Sequence, residues 1–261
     1  MYRMPGRRLL REALILTSVY FIYMLIRKFI YVDVESIAFS NAQKVISFQS
    51  SLGFFWEPSW QEWAIKSSKG LVVFFNWVYI ITFWPIVLVT AVILYFKNWH
   101  KYRYYRNIVL LSFAFALAIY ALFPLAPPWM LPQFFVDTIA TYGPTEYRSP
   151  QNAAFYNVFA AMPSVHFAWT ILFGALFIST RYKLLKILGV LYPTTTFFAI
   201  IITGNHYILD AVGGLVIVIL SFLLYEIVFR RRLIPIPKPY FIMNGLKTKD
   251  GSNPGDYYPN R

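Results

Sequence analysis

Two short motifs contain most of the side chains that could do chemistry in this chain. Only three histidines occur in 261 residues, and two of them, His166 and His206, stand at the beginnings of long apolar segments. Asp210 follows His206 by four residues, so on a helix its carboxylate can accept a hydrogen bond from one imidazole nitrogen. Such a bond orients the ring and leaves the other nitrogen free to attack. The spacing therefore predicts a histidine nucleophile with an orienting carboxylate.

The residues around both histidines are typical of helix N-termini that bind anions. In AAMPSVHFAW, Pro163 suits the first position of a helix, which places Ser164 and His166 on the first turn beside unpaired N–H groups. Gly204 and Asn205 precede His206 in a similar arrangement. The positive ends of the two helix dipoles would attract a negative charge. We therefore expect two helix N-termini to face one phosphate.

The elements that must position these residues are predicted to be membrane helices. The chain is 58% hydrophobic, 20% aromatic and only 13% charged, which is unlike an ordinary soluble protein. A hydrocarbon core of ~30 Å needs ~20 apolar residues per helix. Six segments meet that length, near residues 10–29, 71–96, 107–125, 163–180, 184–203 and 207–229. The prediction is an all-α, polytopic membrane protein with six transmembrane helices in a bundle.

The net charge of +13 follows the membrane topology and does not indicate a nucleic-acid partner. Basic residues cluster before the first segment and after the second, fourth and sixth, as the positive-inside rule requires. Both termini are therefore expected on the cytoplasmic side of a plasma or cytoplasmic membrane. Both histidine motifs are expected on its extracytoplasmic face. The expected organisation is a membrane catalytic domain over 1–233, with its core motifs at 70–230 and an outer interfacial segment at 30–70, and a polar cytoplasmic tail over 234–261.

The motifs carry a resemblance to a known enzyme family. MPSVH and the downstream HYILD resemble the second and third signature motifs of the type 2 phosphatidic acid phosphatase superfamily, whose members are six-helix membrane enzymes that work through a phosphohistidine. FPLAPPWM and TGNHYILDAVGG are similar to the branch that contains inositol phosphorylceramide synthase, an inositolphosphotransferase. By this resemblance, His206 is the nucleophile, Asp210 orients it, His166 is the general acid and base, and Ser164 binds phosphate. Asn205 is expected to bind substrate beside them.

The chain departs from the superfamily pattern at its phosphate clamp. The first motif, a lysine followed at fixed distance by Arg-Pro, is absent from the sequence, and Ile200 stands where an arginine is expected six residues before the nucleophile. The inositol phosphorylceramide synthase branch is similar in lacking this clamp. Another cation must then neutralise the phosphate, and the candidates are Arg148, Lys66 and Lys69. The APPWM block is either a rigid loop with an interfacial tryptophan or a substrate-contacting element, through Pro127, Pro128 and Trp129.

The resemblance implies transfer of a phosphorylated head group, of the inositol-phosphate type, from a phospholipid to a hydroxyl acceptor. If the acceptor is water, the protein is instead a phosphatase of lipid phosphates or polyprenyl diphosphates, and the catalytic residues do not distinguish the two. No metal or other cofactor is required if helix ends and a cation stabilise the phosphate oxygens. Two alternatives stay open: a zinc-dependent membrane hydrolase, since two histidines and an aspartate can bind zinc, and a non-catalytic lipid-binding protein.

Overall fold

The structure, a computed structural model, describes residues 6–30, 34–149 and 157–229. The predicted tail over 234–261 lies outside these residues. Within them the fold is all-helical, and the only pairing of extended chain is a single bridge between Leu125 and Ala160. The helices are α1 (Gly6–Ile30), α2 (Val34–Ser51), α3 (Glu57–Ser67), α4 (Lys69–Ile81), α5 (Phe83–Lys97), α6 (Trp99–Leu122), α7 (Thr138–Tyr142), α8 (Val165–Ile178), α9 (Lys183–Ile202) and α10 (Ile208–Leu224).

Three helical stretches in the described residues are long and apolar enough to cross a membrane. They are α6, α9 and the stretch Ile208–Val228 that begins with α10. A fourth span results if α4 and α5, which meet at a 41° bend, are counted as one. The apolar helix α8 is shorter, with 14 residues, and α1 has 25. These helices expose many leucine, isoleucine, valine and phenylalanine side chains, as a lipid-facing surface requires. The count of six spans and the sides of the two termini stay predictions.

Close helix packing holds α8 between α9 and α10. A Cβ atom added to Gly174 on α8 would lie 2.6 Å from the carbonyl oxygen of Gly189 on α9. A Cβ atom added to Gly214 on α10 would lie 2.5 Å from the carbonyl oxygen of Ser164. Both separations are shorter than real side chains allow, so glycine is required for the backbones to meet. The beginnings of α8 and α10 are thereby brought together at one end of the bundle.

The segment predicted to lie on the outer interface forms the helices α2 and α3. Gln61 on α3 donates to the carbonyl oxygens of Ile202 (2.9 Å) and Val136 (3.0 Å), and its own amide oxygen accepts from the N–H of Val136 (2.8 Å). Trp63 projects from the same helix and is exposed. α3 therefore covers the end of α9, next to the turn that leads into α10.

Candidate active site

His206 lies in the turn between α9 and α10, and Asp210 lies on the first turn of α10. Tyr207 is the N-cap residue of the helix, so the histidine precedes the helix on which the sequence analysis had placed both residues. The contact between them is present: His206 Nδ1 is 3.3 Å from Asp210 Oδ2. The same carboxylate oxygen accepts the main-chain N–H of Tyr207 (2.9 Å). The pair is buried, with 5% of His206 and none of Asp210 exposed.

A second acceptor fixes the tautomer of His206. Its Nδ1 lies 2.7 Å from the carbonyl oxygen of Ala161. A carbonyl oxygen can only accept, so in the neutral ring Nδ1 carries the proton and Nε2 is the nitrogen with the free lone pair. Ala161 escaped the sequence analysis because a main-chain carbonyl group leaves no signal in residue type. Nε2 of His206 is therefore the ring nitrogen whose lone pair is not directed at either acceptor.

His166 lies on the first turn of α8 within an aromatic pocket. Its ring stacks on Tyr79 with centroids 4.7 Å apart and packs against Phe83 at 4.2 Å. The break between α4 and α5 supplies these two rings, one from each side of the bend. The ring centroids of His166 and His206 are 6.4 Å apart. The two histidines predicted to share one site are therefore neighbours.

The helix α8 begins two residues later than predicted. Ser164 is its N-cap, and the serine Oγ accepts the N–H of Phe167 (3.3 Å). The main-chain N–H of Ser164 donates to the carbonyl oxygen of Asp210 (2.9 Å), which joins the two helix starts directly. Because Ser164 accepts with its oxygen, its hydroxyl hydrogen is still able to donate to a phosphate. The N–H groups of Val165 and His166 lie in the first turn of α8, at the positive end of the helix dipole. They can therefore donate to an anion.

The N–H groups at the beginning of α10 are used within the protein, contrary to expectation. Asp210 takes the N–H of Tyr207, and the N–H groups of Asn205 and His206 both donate to the carbonyl oxygen of Ile200, at 3.1 and 3.0 Å. The N–H of Ile208 donates to the carboxyl group of Glu57 at 2.7 Å. These four groups are not free for a phosphate, which leaves the start of α8 as the candidate anion-binding helix end among the described residues.

Arg148, Asn205 and Trp129 come together beside His206. Arg148 Nη2 donates to Asn205 Oδ1 (3.0 Å), and Arg148 Nε donates to Asp137 Oδ2 (3.0 Å). The guanidinium carbon lies 4.1 Å from the centroid of the Trp129 ring. The main-chain N–H of Trp129 in turn donates to the carbonyl oxygen of Gly204 (2.7 Å). A cation is thereby fixed next to the residue that precedes the proposed nucleophile.

The remaining candidates have supporting or distant positions. Pro127 and Pro128 are buried and lead into the short 3₁₀ turn Pro128–Met130, which presents Trp129. Lys66 lies on an exposed face of α3, where its ammonium group is 2.5 Å from Glu62. Lys69 Nζ lies 5.9 Å from the centroid of the Tyr142 ring. Within the described ranges, no contact joins either lysine to the residues grouped around His206.

Glu57 is a residue of this region that the sequence analysis missed. Its side chain is fully buried, and Oε1 accepts from both Ile208 N–H (2.7 Å) and Gln49 Nε2 (2.5 Å). Burial raises the pKa of the Glu57 carboxyl, and the nearby Asp210 adds to the increase. A signal was present: the chain has only 11 acidic residues, and this one stands among aromatic residues in FFWEPSW.

Within the described residues, no group of three or more histidine, aspartate or glutamate side chains is placed so that it could hold a metal ion.

Comparison with known proteins identifies the family. A family model described as the PAP2 superfamily matches residues 43–224, more than two thirds of the chain. No curated protein and no solved structure matches.

Proposed function

Because the chain belongs to the PAP2 superfamily, we propose that it is an integral membrane enzyme that transfers phosphate groups of lipids through a phosphohistidine on His206. The observation that carries this proposal is the fixed tautomer of that histidine. Ala161 and Asp210 both face Nδ1, at 2.7 and 3.3 Å, and so leave Nε2 as the nucleophile. Asp210 also stabilises the positive charge that the ring gains as the bond to phosphorus forms.

The proposed reaction has two steps. In the first, Nε2 of His206 attacks phosphorus in line, the bond from phosphorus to the leaving oxygen breaks, and His166 gives that oxygen its proton. In the second, an acceptor hydroxyl gives its proton to His166 and attacks phosphorus, and the bond from phosphorus to Nε2 breaks. The separation of 6.4 Å between the two ring centroids lets a phosphate on one ring reach the other by a hydrogen bond.

Arg148 is proposed as the cation that replaces the missing clamp. A guanidinium group has five N–H donors, and Asn205 and Asp137 each engage one of them, so donors remain for a phosphate. Stacking on Trp129 and the two hydrogen bonds hold the group without movement on substrate binding. The N–H groups at the start of α8 and the Ser164 hydroxyl complete the proposed phosphate site.

Transfer to a hydroxyl acceptor is favoured over hydrolysis, with an inositol-phosphate donor as the first candidate. Two sequence features support this choice: the absence of the Lys and Arg-Pro clamp, and the likeness of FPLAPPWM and TGNHYILDAVGG to the inositol phosphorylceramide synthase branch. A phosphatase of lipid phosphates or polyprenyl diphosphates is the second candidate. The clustering of basic residues in alternate loops supports placing the end of the bundle that carries the site on the extracytoplasmic face.

The test compares purified wild-type protein with His206→Ala and with His100→Ala, a control at the one histidine outside the site, which is exposed. Each is incubated with phosphatidylinositol, phosphatidic acid or polyprenyl diphosphate, with and without a lipid that carries a free hydroxyl, and products are identified by mass spectrometry. A phosphorylated acceptor made by wild type and His100→Ala, but not by His206→Ala, is the expected result. Phosphate release without an acceptor would favour the phosphatase. Loss of turnover in EDTA, or no turnover on any lipid, would favour the zinc or non-catalytic alternatives.

A further inference from the structure

We propose that Glu57 is a positioning residue of this active site, which acts with Gln61 to fix the turn that carries His206. The proposal rests on the proposed function for the role of His206, and on contacts of α3 for the rest. Glu57 and Gln61 are four residues apart on α3 and so lie on one face of that helix. This face lies against the turn between α9 and α10.

The two side chains hold opposite ends of the turn. Gln61 Nε2 donates to the carbonyl oxygen of Ile202, the last residue of α9, at 2.9 Å. Glu57 Oε1 accepts the N–H of Ile208, the first residue of α10, at 2.7 Å. Between these two points lie only residues 203–207, among them Asn205 and His206. One rigid helix therefore sets the distance between the ends of the segment that presents the nucleophile.

The helix α10 depends on this external group because its own N-cap residue does not supply one. Tyr207 occupies the N-cap position without a side-chain capping bond to the helix amides, where serine, aspartate or asparagine is usual. Asp210 accepts a hydrogen bond from the N–H of Tyr207, and Glu57 accepts one from the N–H of the following residue, Ile208. Two buried carboxyl groups thus bind successive amides at the beginning of one helix.

Burial of these two carboxyl groups costs free energy, which indicates a role beyond capping the helix. Glu57 Oε2 and Asp210 Oδ1 are buried, and neither has a hydrogen-bond partner in the part of the chain that the structure describes. A surface cap would leave such atoms in water at no cost. Burial raises the pKa of the Glu57 carboxyl. The amide oxygen of a glutamine can accept the N–H of Ile208 as Glu57 Oε1 does. Glutamine is accordingly the replacement expected to keep the function.

The test compares Glu57→Ala, Glu57→Asp and Glu57→Gln with Glu62→Ala. Glu62 is the matched control, since it lies on the same helix but pairs with Lys66 in solvent. Two quantities are measured on each protein in detergent: kcat and KM with the lipid that wild type turns over, and hydrogen exchange of the peptide over residues 203–209 by mass spectrometry.

In Glu57→Ala we expect kcat to fall by about 10- to 100-fold, as small misplacements of reacting groups do, while KM changes little and the Ile208 amide exchanges faster. Glu57→Gln should restore kcat and slow exchange, with Glu57→Asp between the two and Glu62→Ala like wild type. Because Glu57→Asp keeps a buried carboxyl group, it serves if Glu57→Ala does not fold.

A folded Glu57→Ala with wild-type kcat, or with unchanged exchange at Ile208, would overturn the proposal. So would a glutamine variant that is as impaired as the alanine variant. If wild type shows no turnover that depends on His206, the proposed function has failed. Exchange at residues 203–209 then decides by itself whether Glu57 fixes the turn.

Discussion

Replacement of Asp210 by asparagine separates the charge of this residue from its hydrogen bonds. One oxygen, Oδ2, accepts from both Tyr207 N–H (2.9 Å) and His206 Nδ1 (3.3 Å), and the other, Oδ1, has no partner among the described residues. An asparagine whose carbonyl oxygen takes the place of Oδ2 keeps both bonds. Its NH2 group then lies buried without an acceptor, which costs about 1–3 kcal/mol of stability.

The catalytic loss is expected to be modest because the tautomer survives. Ala161 still accepts from Nδ1 at 2.7 Å, so Nε2 remains the nucleophile. The loss is the difference between a hydrogen bond to a charged group, about 1.5–3 kcal/mol, and one to a neutral group, about 0.5–1.5 kcal/mol. That difference of roughly 1–2 kcal/mol lowers kcat by about 5- to 30-fold. In a serine protease triad, where the same change inverts the tautomer, the loss is about 10⁴-fold.

The assay is single-turnover formation of the acid-labile phosphoenzyme, measured by rapid quench on wild type and on Asp210→Asn. Asp210→Leu serves as the comparison, since it removes both the charge and the hydrogen bonds. Its rate of phosphoenzyme formation should fall much further than that of Asp210→Asn. Thermal unfolding in the same detergent shows that each variant is folded. A folded Asp210→Asn that loses about 10⁴-fold, as the inverted triad does, would refute the reasoning, because Asp210 and not Ala161 would then set the tautomer.

Three further predictions follow from the contacts around the site. Arg148→Lys keeps the charge but loses the fork of hydrogen bonds, so KM for the lipid phosphate should rise about 10-fold, and in Arg148→Met about 100-fold, as one or two charge-assisted bonds are worth. Gly214→Ala places a Cβ atom 2.5 Å from Ser164 O, so the free energy of unfolding should fall by about 1–3 kcal/mol, while Gly70→Ala, which meets only ordinary contact, should not change it. Because burial raises the pKa of Glu57 in the folded state, the contribution of this residue to stability is fully present below the ordinary carboxyl pKa and is lost as pH rises through the raised pKa. Thermal melts of wild type and Glu57→Gln should therefore diverge with pH, at about 1.4 kcal/mol per pH unit within that window.

Residue type and spacing predicted which side chains lie together around His206 better than they predicted the hydrogen bonds between them. The pairing of His206 with Asp210 and the approach of His166 followed from the two motifs, because those side chains are rare in an apolar chain. The all-helical fold followed from composition, and the superfamily from the motif residues. Spacing alone could not show that His206 precedes the helix, since a four-residue separation fits both a helix and the turn that leads into one.

Contacts made by the main chain and by distant segments were out of reach of the same reasoning. The acceptor at Ala161 is a peptide carbonyl, and every residue has one. Glu57 was not identified because its contact with Ile208 spans 151 positions of sequence. The error at the beginning of α10 has the same origin: helix N-termini offer free N–H groups as a rule, and only the tertiary structure shows when another carboxyl group has taken them.

The two helix beginnings therefore have different roles in the proposed mechanism. The start of α10 is crowded with acceptors, from Asp210, Glu57 and Ile200, and those bonds hold the nucleophile in place. The start of α8 and Arg148 present donors, which suit the phosphate. In the proposed mechanism this division separates the two carboxyl groups from the phosphate. Asp210 lies at Nδ1 of the imidazole ring and Glu57 binds the N–H of Ile208, while the phosphate meets Nε2. Replacements on the first side should then act mainly on kcat, and replacements on the second mainly on KM.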